Sequence, residues 1–148
     1  MKILLPVDGS EVSLKAVRLA ISLLQQGLSG SVVLANVQEP ATLYEMVVAP
    51  DTEILESVST AAGVDTLASA ESLLINADVV YEREIASGDP AHTIVDIVER
   101  YACDLVIMGA RGVGALRNAL LGSVSNEVLR AAPVPVMVVK MEDDETSD

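Results

Sequence analysis

Apolar residues fall along this chain in two kinds of run that alternate. "KILLPV" (2–7), "SVVLANV" (31–37), "DLVIMG" (104–109) and "VPVMVV" (134–139) are short and nearly continuous, as expected of strands covered on both faces. Between them the apolar positions recur at helical spacing. In "GSEVSLKAVRLAISLLQQG", Val12, Ala16, Leu19, Ala20 and Leu23 form one stripe, with Ser10 as N-cap and Gly27 at the C-terminal stop. "DTEILESVSTAAGVDTLASAESLLINA" predicts one long helix weakened at Gly63. "SGDPAHTIVDIVERY" opens a third helix with Asp89 as N-cap and Pro90 at its first position, turning Ile94, Val95, Val98 and Tyr101 inward. "SVSNEVLRAA" predicts the last helix.

One strand breaks the pattern. "VVYEREI" (79–85) alternates, Val79, Tyr81 and Ile85 to one side and Glu82 and Glu84 to the other. Such a half-exposed strand belongs at a sheet edge. Strands interleaved with helices predict an α/β fold: an open parallel five-stranded sheet with right-handed crossovers and helices on both faces. An order 3-2-1-4-5 buries strands one, two and four and leaves the alternating third strand outside. That order reverses between strands one and four, and open α/β sheets take ligands in the crevice beyond the carboxyl ends at such a point. "PVDGS" and "MGARG" both end there. One domain is expected over residues 1–140, with the acidic segment 141–148 ("MEDDETSD") disordered.

Composition narrows the function. At 148 residues, 51% hydrophobic and mean hydropathy +0.45, the chain can bury a full core and is not disordered by composition. No apolar run approaches the ~18–20 residues of a membrane helix, and the N-terminus lacks a signal-peptide pattern. A single cysteine, Cys103, precludes an internal disulfide and fits a reducing compartment; a cytoplasmic protein without a membrane partner is expected. Nine Lys+Arg against 22 Asp+Glu give a net charge of −13, which argues against nucleic acid, whose binding rests on neutralising phosphates. Any anion site must then be local, made of backbone N–H groups and a few arginines.

"GARGVGALRNALLGSVSNEV" (109–128) has the parts of such a site. Gly109 and Gly112 permit close backbone approach. Gly122, Ser123, Val124 and Ser125 open the last helix, directing free amides and the positive end of its dipole at the crevice, with the two serine hydroxyls as added donors. Arg111, and with it Arg117, would offset the acidic surroundings, while "VGALRNALL" would cover the site. The natural occupant is a phosphate chain.

The spacing Gly109-x-x-Gly112, nine residues, then Gly122-Ser123 resembles the ATP-binding signature of the universal stress protein (UspA-like) family, and the likeness covers nearly the whole chain. The resemblance implies the 3-2-1-4-5 fold, ATP or a related adenine nucleotide (ADP or AMP), and homodimers. It also implies roles. Asp8, with the Pro6–Val7 backbone, would meet the nucleoside, and Val37 the adenine. Met108 and Gly109 would lie against the ribose region. Gly112, Gly122, Ser123, Val124 and Ser125 would hold the phosphates with Mg²⁺, no protein side chain being assigned as a metal ligand. Arg111 sits at a variable position of the motif, and its role is inferred from charge alone.

No Walker lysine, no second carboxylate beside the glycine loop and no histidine near it supply the parts of phosphoryl transfer. A nucleotide-responsive regulator in stress response is therefore expected, with no catalytic residue. A slow ATPase and a nucleotide-free interaction protein remain alternatives. His92 is expected on the solvent face of the third helix and Cys103 as a small buried apolar residue. "LYEMVVAP" (43–50) is expected to pack as a loop beside the adenine pocket. The apolar edge strand 134–139 invites aggregation unless covered, and antiparallel pairing with a second copy would cover it. The protein partner, if any, is not identified by these residues.

Overall fold

The computed structural model describes residues 1–39, 52–110 and 121–141. Five strands, β1 (Lys2–Pro6), β2 (Ser31–Gln38), β3 (Tyr81–Ser87), β4 (Leu105–Gly109) and β5 (Val136–Val139), alternate with helices α1 (Glu11–Gln25), α2 (Thr52–Asn76), α3 (Pro90–Tyr101) and α4 (Ser123–Ala131). All pairings are parallel and the order is β3-β2-β1-β4-β5. The expected topology holds, with the alternating strand β3 on one edge.

The strand period of two divides the core between the faces of the sheet. Ile3, Leu5, Val32, Leu34 and Ile107 pack with α1 and α2, while Leu4, Val33, Ala35, Val106 and Met108 pack with α3 and α4. Helix starts follow local chemistry. Ser10 caps α1 by accepting the Ser13 amide at 3.2 Å, and Asp89 caps α3 by accepting the His92 amide at 3.1 Å, with Pro90 at the first position. Such caps are each worth about 1 kcal/mol.

Three strand starts and two stripes differ from the sequence reading, and the ends of β1, β2 and β3 shift by one or two residues. β3 begins at Tyr81 rather than 79, because Val79 still donates to Leu74 O at 3.0 Å and Asp78 turns through φ 57° to end the helix. β5 begins at Val136 rather than 134: Pro133 and Pro135 lack the ladder's N–H, and Pro135 gives only its carbonyl, to Val106 N at 3.0 Å. β4 begins at Leu105 rather than 104. On α1, Val17 and Ile21 join the buried stripe while Leu19 and Leu23 are half-buried, since this helix packs on both the sheet and α2. On α3, Ala91 and Ile97 are buried and Val95 is half-buried.

Gly63 has a packing role in α2. A Cβ there would lie 2.6 Å from Ile85 Cγ2 and 3.1 Å from Asn36 Oδ1, so the helix sits closer to β2 and β3 than any other residue would allow. Among the described residues no helix is long and apolar enough to cross a membrane.

Candidate functional site

β1 and β4 lie side by side but stay paired only at Ile3–Leu105 and Leu4–Val106, whereas β1 follows β2 as far as Pro6–Ala35. The two strands therefore part towards their carboxyl ends. At that gap lie the turn Pro6–Ser10 on one bank and, on the other, the end of β4 at Met108–Ala110 with the start of α4 at Gly122–Ser123.

The β1 bank is fixed by side chains. Val7 is buried and donates to Ala35 O at 2.8 Å, while its carbonyl accepts from Asn36 Nδ2 at 2.9 Å. Gln38 Nε2 donates to Asn36 Oδ1 at 2.6 Å, which sets which end of the Asn36 amide faces Val7. Asp8 is exposed, and its Oδ1 accepts from the Ser10 amide at 3.0 Å and the Ser10 hydroxyl at 2.6 Å. That arrangement closes the turn before the α1 cap. Val37 is half-buried at the end of β2, paired with Ala86 and packed on the α3 side of the core.

The α4 bank is fixed by main chain. Ala110 N donates to Val139 O at 2.7 Å, and Ala110 O accepts from Gly122 N at 2.7 Å and from the Ser125 hydroxyl in a short bond. A second Ser125 contact, to Gly122 O at 3.2 Å, completes the clasp. The start of α4 is thus pinned to the end of β4. Asn126 N is the first helical amide with an intrahelical acceptor, Gly122 O at 3.0 Å, and Gly122 brings no side-chain cap. The amides of Ser123, Val124 and Ser125 precede it and have no acceptor within the helix. Dipole and amides together make this end receptive to an anion.

The residues singled out in the sequence divide accordingly. Pro6, Val7, Asp8, Val37, Met108, Gly109, Gly122, Ser123, Val124 and Ser125 all come to the carboxyl edge of the sheet, while Arg111, Gly112 and Arg117 and the segment 43–50 lie outside the described residues. Three expected roles change. The Ser125 hydroxyl hydrogen is committed within the protein, with the side chain 2% exposed, so its hydroxyl is a clasp rather than a spare donor. The Met108 side chain is buried in the α3–α4 half of the core, which leaves only its backbone at the crevice. Gly109 is required by α1: a Cβ would lie 2.8 Å from Val12 Cγ1 and 3.3 Å from Ser13 N.

Asn36 was not singled out, although a lone amide inside the apolar run "SVVLANV" is its own signal, because a side chain 4% exposed must find partners for its polar atoms. Away from the crevice, His92 is exposed beside Asp96 at 3.9 Å, and burial pushes the Cys103 thiol above its ordinary range.

Fold and crevice define a class: a doubly wound α/β domain with an anion-receptive helix start at its topological switch point. More narrowly, the chain belongs to the universal stress protein family, whose family model matches residues 1–140. Universal stress protein MJ0531 of Methanocaldococcus jannaschii is 31% identical over 139 residues, which cover 94% of this chain and 81% of that protein. Universal stress protein YxiE of Bacillus subtilis is 30% identical over 94% of this chain and 98% of its own. The solved structure of the protein MJ0577 superposes with a TM-score of 0.82 at 27% identity, covering 97% of each chain. Two more distant structures, each 21% identical, share the fold. One is a universal stress protein in complex with cAMP (TM-score 0.67; 95% of this chain, 96% of that one). The other is an Arabidopsis thaliana family member with AMP bound (TM-score 0.69; 99% and 95%).

Proposed function

We propose that this universal stress protein binds an adenine nucleotide, ATP or its relatives ADP and AMP, in the crevice between β1 and β4, and serves as a nucleotide-responsive regulator in stress response. The reading rests above all on the Ser123, Val124 and Ser125 amides, which lack intrahelical acceptors where the start of α4 is pinned to the end of β4. In a chain of net charge −13, an amide cluster of this kind accepts phosphate without lysines. Family relatives that hold AMP or cAMP support adenine as the base. Pro6, Val7, Asp8 and Val37 would border the nucleoside, the backbone of Met108 and Gly109 the ribose, and Gly122–Ser125 the phosphates. Arg111 and Gly112 join the phosphate side by motif alone. Mg²⁺ would enter on the phosphates. Among the described residues no three His, Cys, Asp or Glu side chains gather to hold a metal.

Calorimetry with Mg-ATP, ADP and AMP tests the reading, together with mass spectrometry of the purified protein for a co-purifying nucleotide. One nucleotide per chain is expected, and at 100-fold excess over Kd it should stabilise the fold by about 2.7 kcal/mol. Absence of both heat and thermal shift with all three overturns it. Hydrolysis faster than about 1 s⁻¹ would make the protein an enzyme instead.

A homodimer through residues 134–139 belongs to the same reading. β5 is an edge strand with Met137 39% exposed, and Met141, two residues past its end, is exposed as well. Strand pairing with a second copy covers such an edge. Light scattering should give twice the chain mass at micromolar concentration, and a monomer there removes this part.

A further inference from the structure

We infer that Asn36 is a positioning residue for base recognition: it sets the orientation of the Val7–Asp8 peptide, and so the affinity for the nucleoside part of the ligand. The inference rests on the adenine-nucleotide reading above. The backbone ladder between β1 and β2 ends at Pro6–Ala35, with Val7 N still reaching Ala35 O at 2.8 Å. One step further the Asn36 side chain takes over, Nδ2 holding Val7 O at 2.9 Å. A trans peptide carries its C=O and N–H on opposite sides. With Val7 O held towards β2, the Asp8 amide is turned towards the β4 side of β1, the side on which the crevice opens.

The hold is one-way because the amide cannot flip without loss. Gln38 Nε2 donates to Asn36 Oδ1 at 2.6 Å, so a flipped Asn36 would set donor against donor there and acceptor against acceptor at Val7. Helix α2 closes the remaining side, with Gly63 so near that a Cβ would stand 3.1 Å from Asn36 Oδ1. Among the described residues these hydrogen bonds join β1 and β2 and none reaches α4, so base and phosphate recognition are separable.

The test compares Mg-ATP with inorganic tripolyphosphate by calorimetry, in the wild type, Asn36→Asp and Gln38→Met, with folding checked by thermal unfolding. Asn36→Asp keeps the shape and removes the donor to Val7. It should weaken ATP about tenfold, the scale of one hydrogen bond, while tripolyphosphate changes by less than about twofold. Gln38→Met frees the amide to flip and should weaken ATP by about threefold, again with tripolyphosphate spared. Equal losses for both ligands, or no change in their ratio, would make Asn36 merely structural and leave the nucleotide reading standing. A wild type that takes neither ligand overturns both. Should Asn36→Asp not fold, the ratio in Gln38→Met decides.

Discussion

The two banks of the crevice are built from different materials. On the β1 side, side chains hold the backbone: Asn36 holds the Val7 carbonyl and is itself fixed by Gln38, and Asp8 holds the Ser10 amide. On the α4 side the backbone faces outward, and the buried Ser125 hydroxyl that ties it to the end of β4 works from behind. A bank of side chains is rewritten by single substitutions. A bank of amides is indifferent to most substitutions and yields only to changes of local charge or of helix position. On the nucleotide reading proposed above, such a site would keep its grip on phosphate while its treatment of the base drifts.

The sharpest way to break that comparison is Ser123→Glu. Ser123 is exposed at the first position of α4, where an acidic side chain stabilises a helix by about 0.3–1 kcal/mol. Against a bound phosphate about 5 Å away, at an effective dielectric near 20, the same charge costs roughly 3 kcal/mol. Tripolyphosphate affinity should fall about 100-fold while the melting temperature holds or rises. Unchanged affinity would mean that phosphate does not sit on this helix. Ser125→Ala comes next. It removes one of two hydrogen bonds to Ala110 O, expected to cost about 1–1.5 kcal/mol of stability, a fall of a few degrees in melting temperature. Binding should suffer only as far as α4 shifts.

Gly63→Ala tests the opposite bank. Alanine gains about 1 kcal/mol of helix propensity, yet its methyl must displace Ile85 and press Asn36 Oδ1, and overpacking costs about 1–3 kcal/mol. A net loss of about 1 kcal/mol is expected in chemical denaturation, with ATP weakened more than tripolyphosphate. A more stable variant would show that α2 has room to spare. The smallest effect belongs to Cys103, at the opposite, amino edge of the sheet, just before β4, where burial raises the thiol's pKa. Alkylation of the folded protein at pH 7–8 should be slow, and equally slow with and without ATP. A change on adding nucleotide would reveal coupling through the sheet.

Much of the fold was legible because its signals are local. Continuous runs gave strands β1, β2 and β4, the alternation Val79–Ile85 gave an edge, and Ser10, Asp89 and Pro90 gave helix starts that the hydrogen bonds bear out. The misplacements at β3 and β5 came from backbone groups, the left-handed turn at Asp78 and the missing N–H of Pro135, whose effect depends on the neighbouring strand. The glycines were legible as places of close approach, though not as to what approaches. At Gly109 and Gly63 it is α1 and the Ile85–Asn36 pair.

By itself, then, the sequence determined the order of elements, the strand order and the edge at which they all end, since periodicity and caps act within a few residues and crossover handedness does the rest. Only the tertiary structure decided which polar group meets which: Asn36 reaches Val7 across 29 positions of the chain, and Ser125 reaches Ala110 across 15. A hydrogen bond is made or lost within half an ångström, and no pattern along the chain carries that resolution until the strands have been laid side by side.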